Sequence, residues 1–168
     1  MAWTCPKCGA RFVTRNLSHS CVARTVDEFF ADKPAGGVAH AKAFIAEASK
    51  LGPLTLHAVK TRIALMVDVR FAAINRIGDD LIKGHLWLRE RHQSERFDRI
   101  ESLGRNHIHH FEVSERRPID DELRAFLSMS YAIGCREHIA SRASKESRAM
   151  SRVAPRRIGR RPTQGRRS

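Results

Sequence analysis

At Gly52-Pro53 the apolar period of this chain changes, and the change decides which folds are open to it. Before it, apolar residues at 38, 41, 44, 45, 48 and 51 keep the three-and-four spacing of a one-sided helix, and Gly52-Pro53 is a helix stop. After it the period is two. Leu54, Leu56 and Ala58 alternate with Thr55 and His57, and Ile63, Leu65, Val67, Val69, Phe71 and Ala73 hold one parity, so strands are expected here, with a turn at Lys60-Thr61. Asn75 to Asp79 reads as a hairpin connection. Ile82, Gly84, Leu86 and Leu88 then share one face of a further strand, and residues 107 to 113 form another.

The helical period returns twice. Ser94 is a plausible N-cap for a short helix turning Phe97, Ile100 and Leu103 inward before Gly104. A closing helix follows, with Pro118 in its first turn, Asp120, Asp121 and Glu122 at the positive end of its dipole, and Leu123, Phe126, Leu127 and Tyr131 in one stripe before Gly134. Upstream, Thr25-Val26-Asp27-Glu28 is a capping box that starts a helix through Ala31, which Lys33 to Gly37 breaks. Helices and antiparallel strands without βαβ alternation give an α+β fold, a small antiparallel sheet flanked by helices. Residues 38–134 are expected to fold without their flanks.

Charge divides the chain further. It has 168 residues and a formal charge of +13, of which residues 141–168 supply +9, with ten Lys and Arg against Glu146 alone. That segment has the charge and the poverty in aliphatics of an unfolded tail. The expected domains are a unit at 1–24, an α+β domain at 25–140 and a disordered Arg-rich tail at 141–168. No apolar run approaches the roughly 20 residues of a membrane span, and no apolar h-region of a secretory signal is seen. A cytoplasmic protein is expected.

Residues 1–24 carry Cys5-Pro6-Lys7-Cys8, and after them His19 and Cys21. Four soft or borderline ligands at this spacing can close a tetrahedral structural zinc site. Gly9 permits the positive φ that turns backbone amides toward sulfur. Trp3, Phe12 and Leu17 offer too little apolar surface to fold such a unit alone, whereas structural zinc contributes on the order of 10 kcal/mol. His19 and Cys21 are two residues apart, about 200° on a regular helix, so they cannot both face one ion from a recognition helix. A thioredoxin-like redox pair at Cys5 and Cys8 is the competing reading, but it needs a preceding strand for which Trp3 leaves no room. Cys135 reads as an ordinary thiol.

Trp3-Thr4-Cys5-Pro6-Lys7-Cys8, Asn16, His19-Ser20-Cys21, Lys60-Thr61-Arg62-Ile63-Ala64, Arg70-Phe71-Ala72, Ser94-Glu95-Arg96-Phe97, His109-His110-Phe111-Glu112-Val113 and Asp120-Asp121-Glu122-Leu123 through Tyr131 occur in this order. In that order they resemble the uncharacterised bacterial domain-of-unknown-function family numbered 5655 in its series. The resemblance covers most of residues 3–134 and implies a small α+β domain, sometimes preceded by a cysteine knuckle, with no established activity. The basic extension after Gly134 departs from the pattern.

Phosphate-loop, dinucleotide, zinc-peptidase and serine-hydrolase signatures are absent, and no catalytic residue is assigned. The sharpest enzymatic candidate on the body is the strand His107-Ile108-His109-His110, whose His107 and His109 would share a face where they could hold a metal or pass a proton. Lys60, Arg62, Arg96 and His109 are candidates to converge on a phosphate or carboxylate, against the plainer reading of a sheet face left wet. In the tail, Arg156, Arg157, Arg160, Arg161, Arg166 and Arg167 are spaced by Gly and Pro without aromatics, a pattern that can follow a phosphate backbone without reading bases. The expectation is a non-enzymatic, zinc-stapled accessory protein associating nonspecifically with nucleic acid, an acidic protein being a further possible partner. The alternative is an anion- or small-molecule-binding domain, with or without catalysis, using the sheet face.

Overall fold

The computed structural model describes residues 3–7, 9, 11–12 and 24–137. Within them Trp3–Thr4 (β1) pairs antiparallel with Arg11–Phe12 (β2). The body runs α1 (Val26–Phe30), α2 (Ala35–Ser49), β3 (Thr55–Val59), β4 (Arg62–Met66), β5 (Arg70–Ile77), β6 (Leu81–Leu88), β7 (Phe97–Leu103), β8 (Asn106–Ser114) and α3 (Asp121–Gly134). The six body strands form one sheet, order β3-β4-β5-β6-β8-β7, with every neighbour antiparallel. The fold is α+β, as the change of period requires.

Capping chemistry sets the helix starts. Thr25 Oγ1 accepts from Glu28 N–H (3.1 Å) while Glu28 Oε2 accepts from Thr25 N–H (2.8 Å), the reciprocal box expected of this sequence. Asp120 caps α3 by accepting from Leu123 N–H at 2.8 Å, so the helix begins at Asp121 and Pro118 lies outside it. Helix α2 starts earlier than its apolar stripe and includes Gly36 and Gly37. The reason is tertiary: the β5–β6 turn docks on its first turn, with Gly37 N–H donating to Asp79 O at 3.0 Å. A Cβ on Gly37 would lie 2.0 Å from Gly78 O, closer than any side chain can come.

Helix α3 packs on β5 and β6, and α2 on β5, β6 and β8. Between helices and sheet lies the core: Phe44, Ile63, Leu65, Phe71, Ile74, Ile82, Leu86, Leu88, Phe111, Leu123 and Leu127 are fully buried. The Phe44 and Phe111 rings meet at 4.9 Å, and Phe111 reaches across Gly84, its partner on β6, where a Cβ would strike the ring at 2.7 Å. Phe29 and Phe30 of α1 belong to the same core. Residues 38–134 therefore do not hold all of the apolar surface they pack against.

Two expected elements are corrected. The single parity expected from Ile63 to Ala73 is broken by a bend at Val67–Val69, which makes a β4–β5 hairpin. The expected helix after Ser94 is strand β7. In register, Phe97 faces Phe111 and Ile100 faces His109, with a bulge at Asp98 between them. The extra residue brings positions three apart to one side of the sheet, and this reproduces a helical spacing inside a strand. Among the described residues no helix is long and apolar enough to cross a membrane.

Candidate anion site on the outer face of the sheet

The face of the sheet turned away from α2 and α3 collects polar side chains in a row across the strands. Register places Arg62 on β4 beside Asn75 on β5, then His85 on β6 opposite His110 on β8, and Arg99 of β7 opposite His110. On the same face Lys83 pairs with Glu112 at 3.3 Å. This face is not uniformly wet, since Ala64, Met66, Ala73 and His85 on it are buried.

Two bulges in β5 aim the row. Leu65 pairs with Ala72 and Met66 with Arg70, which leaves Phe71 as an extra residue. Its ring turns to the helix side, meeting Tyr131 edge-on at 5.3 Å. Arg70 stays on the outer face, its guanidinium 5.5 Å from the centre of the Trp87 ring. Further along, Ile74 pairs with Gly84 and Arg76 with Lys83, so Asn75 is the second extra residue. Bulges re-aim side chains in this way.

Asn75 Nδ2 lies 2.8 Å from His85 Nδ1. An amide nitrogen can only donate, so Nδ1 accepts and the ring proton of neutral His85 sits on Nε2. Burial, reinforced by the positive charges of Arg70, His110 and Arg62, holds the His85 pKa down to about 3. The imidazole is therefore neutral at ordinary pH. Its Nε2–H is buried and meets no acceptor among the described residues; Trp87 Nε1 and Arg70 Nε on the same face are likewise unpartnered there. Such donors are rare, because a buried N–H without an acceptor costs about 1–3 kcal/mol.

A shallow concavity of about 400 Å³ opens here, lined by Thr61, Arg62, Asn75, His85, Ile108, His110 and Glu101. At its far end Glu101 Oε1 accepts from His110 Nε2 at 2.7 Å and is ion-paired with Arg99. One end thus presents a guanidinium beside the buried His85 ring, and the other a carboxylate already engaged by Arg99 of its own strand.

Of the four residues expected to converge, only Arg62 lies in this concavity. Lys60 is exposed on the β3–β4 turn. Arg96 is buried on the approach to β7, where its guanidinium donates to Pro118 O (2.8 Å) and Arg117 O (3.2 Å) and faces Asp120 at 3.8 Å. It fastens the segment before α3. His109 is fully buried on the helix side, its Nε2 accepting from His92 N–H at 3.0 Å and its ring against Phe97 at 4.7 Å. Burial pulls its pKa down, and it is a satisfied core histidine. The separation follows from strand geometry: neighbours 109 and 110 point to opposite faces, and the outer face received His110.

Asn75, His85, Glu101 and His110 were missed by sequence reasoning. Asn75 reads as a turn residue and Glu101 as part of a helix, and the opposition of His85 and His110 exists only in the register of β6 and β8.

Of the expected zinc ligands, Cys5 is buried, and the turn after it closes with Gly9 N–H donating to Cys5 O at 2.9 Å, Gly9 having φ +69°. Cys8, His19 and Cys21 lie outside the described residues, as do Arg156, Arg157, Arg160, Arg161, Arg166 and Arg167. Among the described residues no three His, Cys, Asp or Glu are grouped to hold a metal. Burial pushes the Cys135 thiol up, which disfavours it as a nucleophile.

Comparison with family models, curated proteins and solved structures finds no match to this chain. The resemblance drawn above rests on its motifs alone.

Proposed function

We propose that this protein is an anion-binding α+β domain whose site is the outer-face concavity, with an oxyanion held between the Arg62 guanidinium and His85 Nε2–H. The observation that carries the reading is the buried donor. His85 has its proton on the nitrogen that meets no acceptor among the described residues, and its ring lines the concavity, where an acceptor-rich ligand could satisfy it once the ring is engaged. Because the imidazole stays neutral, it donates a hydrogen bond without adding charge, and Arg62 supplies the attraction. Glu101 does not repel the ligand strongly, since Arg99 and His110 already engage it. In this role the domain binds and orients, and no bond-breaking step is assigned to it.

The test is a histidine-selective ¹⁵N NMR titration of the full chain with inorganic phosphate in about 0.15 M salt. His85 is expected as the Nε2–H tautomer, with that resonance shifting on addition of phosphate and the shift lost in Arg62→Ala. An Nδ1–H tautomer, or a shift independent of Arg62, refutes the site.

A second reading concerns the flanks. We propose that Cys5, Cys8, His19 and Cys21 hold a structural zinc ion, and that the Arg-rich tail associates nonspecifically with nucleic acid. The ligand spacing and the Cys5–Gly9 turn, which has the positive φ such a knuckle needs, support the first. The concentration of +9 within residues 141–168 supports the second.

A further inference from the structure

We infer that the occupant of the outer-face site is a phosphate ester of a hydroxylated compound, with its phosphate on Arg62 and His85 and a hydroxyl donating to Glu101. This rests on the oxyanion reading and adds a second end to the ligand. A bare anion uses only half of the concavity. Glu101 Oε1 is occupied by His110 and Arg99, whereas Oε2 has no partner among the described residues. Since Arg99 and His110 already engage Glu101, this end presents no unpaired negative charge. It suits a neutral hydroxyl better than an ammonium group, which would need an unpaired carboxylate.

The spacing agrees. The strands of His85 and Glu101 are β6 and β7, with only β8 between them, and Glu101 lies two residues along from the register of His85, so their backbones stand about 12 Å apart. A sugar phosphate spans that distance once the side chains lean inward, and inorganic phosphate does not. Ile108 lies on the same face of β8 as His110 and lines the concavity, giving the carbon skeleton an apolar patch. A volume of about 400 Å³ falls at the small end of the range for small-molecule sites.

The experiment is calorimetric titration of the full chain in about 0.15 M salt with inorganic phosphate, ribose 5-phosphate and ribose. Ribose 5-phosphate is expected to bind at least tenfold more tightly than phosphate, and ribose alone to give no measurable binding. Glu101→Gln should remove at least fivefold of that advantage, read as the ratio of ester to phosphate affinity. Glu101 is an exposed residue of an edge strand, and circular dichroism checks that the variant folds; Glu101→Asp, which withdraws the carboxylate by one methylene, is the second variant and should lower the advantage in the same direction. Equal affinity for phosphate and its ester, or an advantage indifferent to both substitutions, overturns the two-ended ligand and leaves the oxyanion site standing. If Arg62→Ala and His85→Phe leave the binding of both anions unchanged, binding belongs to the tail and both readings fall.

Discussion

Ser130 of α3 stands where β5 and β6 would otherwise pair directly, and its removal tests how the site is held. Its hydroxyl donates to Phe71 O at 2.6 Å and accepts from Trp87 N–H at 3.2 Å. The side chain is fully buried, so no water replaces it. In Ser130→Ala both backbone groups lose their partner. An unsatisfied buried group costs about 1–3 kcal/mol, the amide more than the carbonyl, whose second lone pair makes it more tolerant. The expected loss is therefore about 2–4 kcal/mol, a large share of the roughly 5–15 kcal/mol that holds a domain together, and about 8–16 °C in Tm for a folded body of about 115 residues. Urea unfolding followed by tryptophan fluorescence measures it, with Ser128→Ala, an exposed position on the same helix, as a control expected within about 0.5 kcal/mol of wild type. Hydrogen exchange at the Trp87 amide reports the local effect. A loss below about 0.5 kcal/mol with the Trp87 amide still protected would mean that β5 and β6 close on each other when the hydroxyl is gone, and the inserted-hydroxyl account would be refuted. The outcome bears on function because Trp87 and Phe71 border the strand segments that present Arg70 and His85.

Four further outcomes are expected. His85 is neutral in the folded protein down to about pH 3 but protonates near 6.5 once unfolded, so the unfolded state takes up the extra proton and stability falls as pH drops from about 6.5 toward 3. The slope is at most about 1.4 kcal/mol per pH unit, and His85→Gln should flatten it in urea midpoints measured between pH 7 and 5; an unchanged slope sinks the assignment. Elemental analysis should find one zinc per chain, reduced by Cys21→Ala, and chelation should leave the far-ultraviolet signature of residues 25–137 in place. Removing 141–168 should change the slope of log affinity for duplex DNA against log salt from near −5, for about six phosphate contacts, to near −1, and binding that outlasts the tail but not Arg62→Ala would move the interface to the sheet. A 38–134 fragment should melt well below a 25–137 fragment in scanning calorimetry, because it lacks Phe29 and Phe30, each a core aromatic of the class whose truncation costs about 3–5 kcal/mol.

Local chemistry alone determined much of this protein. The capping box at Thr25, the α2 stripe and its Gly52-Pro53 stop and the alternation along β6 and β8 each depend on residues within a turn or two of one another, and all appear where the sequence places them. The α+β class followed from their order. What local patterns could not carry were the bulges: an extra residue at Phe71, Asn75 or Asp98 changes which face the following side chains occupy, and only the neighbouring strand's hydrogen bonds determine where it falls. That is why an unbroken parity from Ile63 to Ala73 hid a hairpin and a three-residue spacing at Phe97 and Ile100 imitated a helix. The candidate site was hidden for the same reason. Lys60, Arg62, Arg96 and His109 were grouped by charge and residue type, but a pocket is assembled by register. The pairing of β6 with β8 brought His85 against His110, the β5 bulge turned Asn75 onto His85, and the β7 pairing delivered Glu101, residues spread along the sequence whose meeting no period encodes.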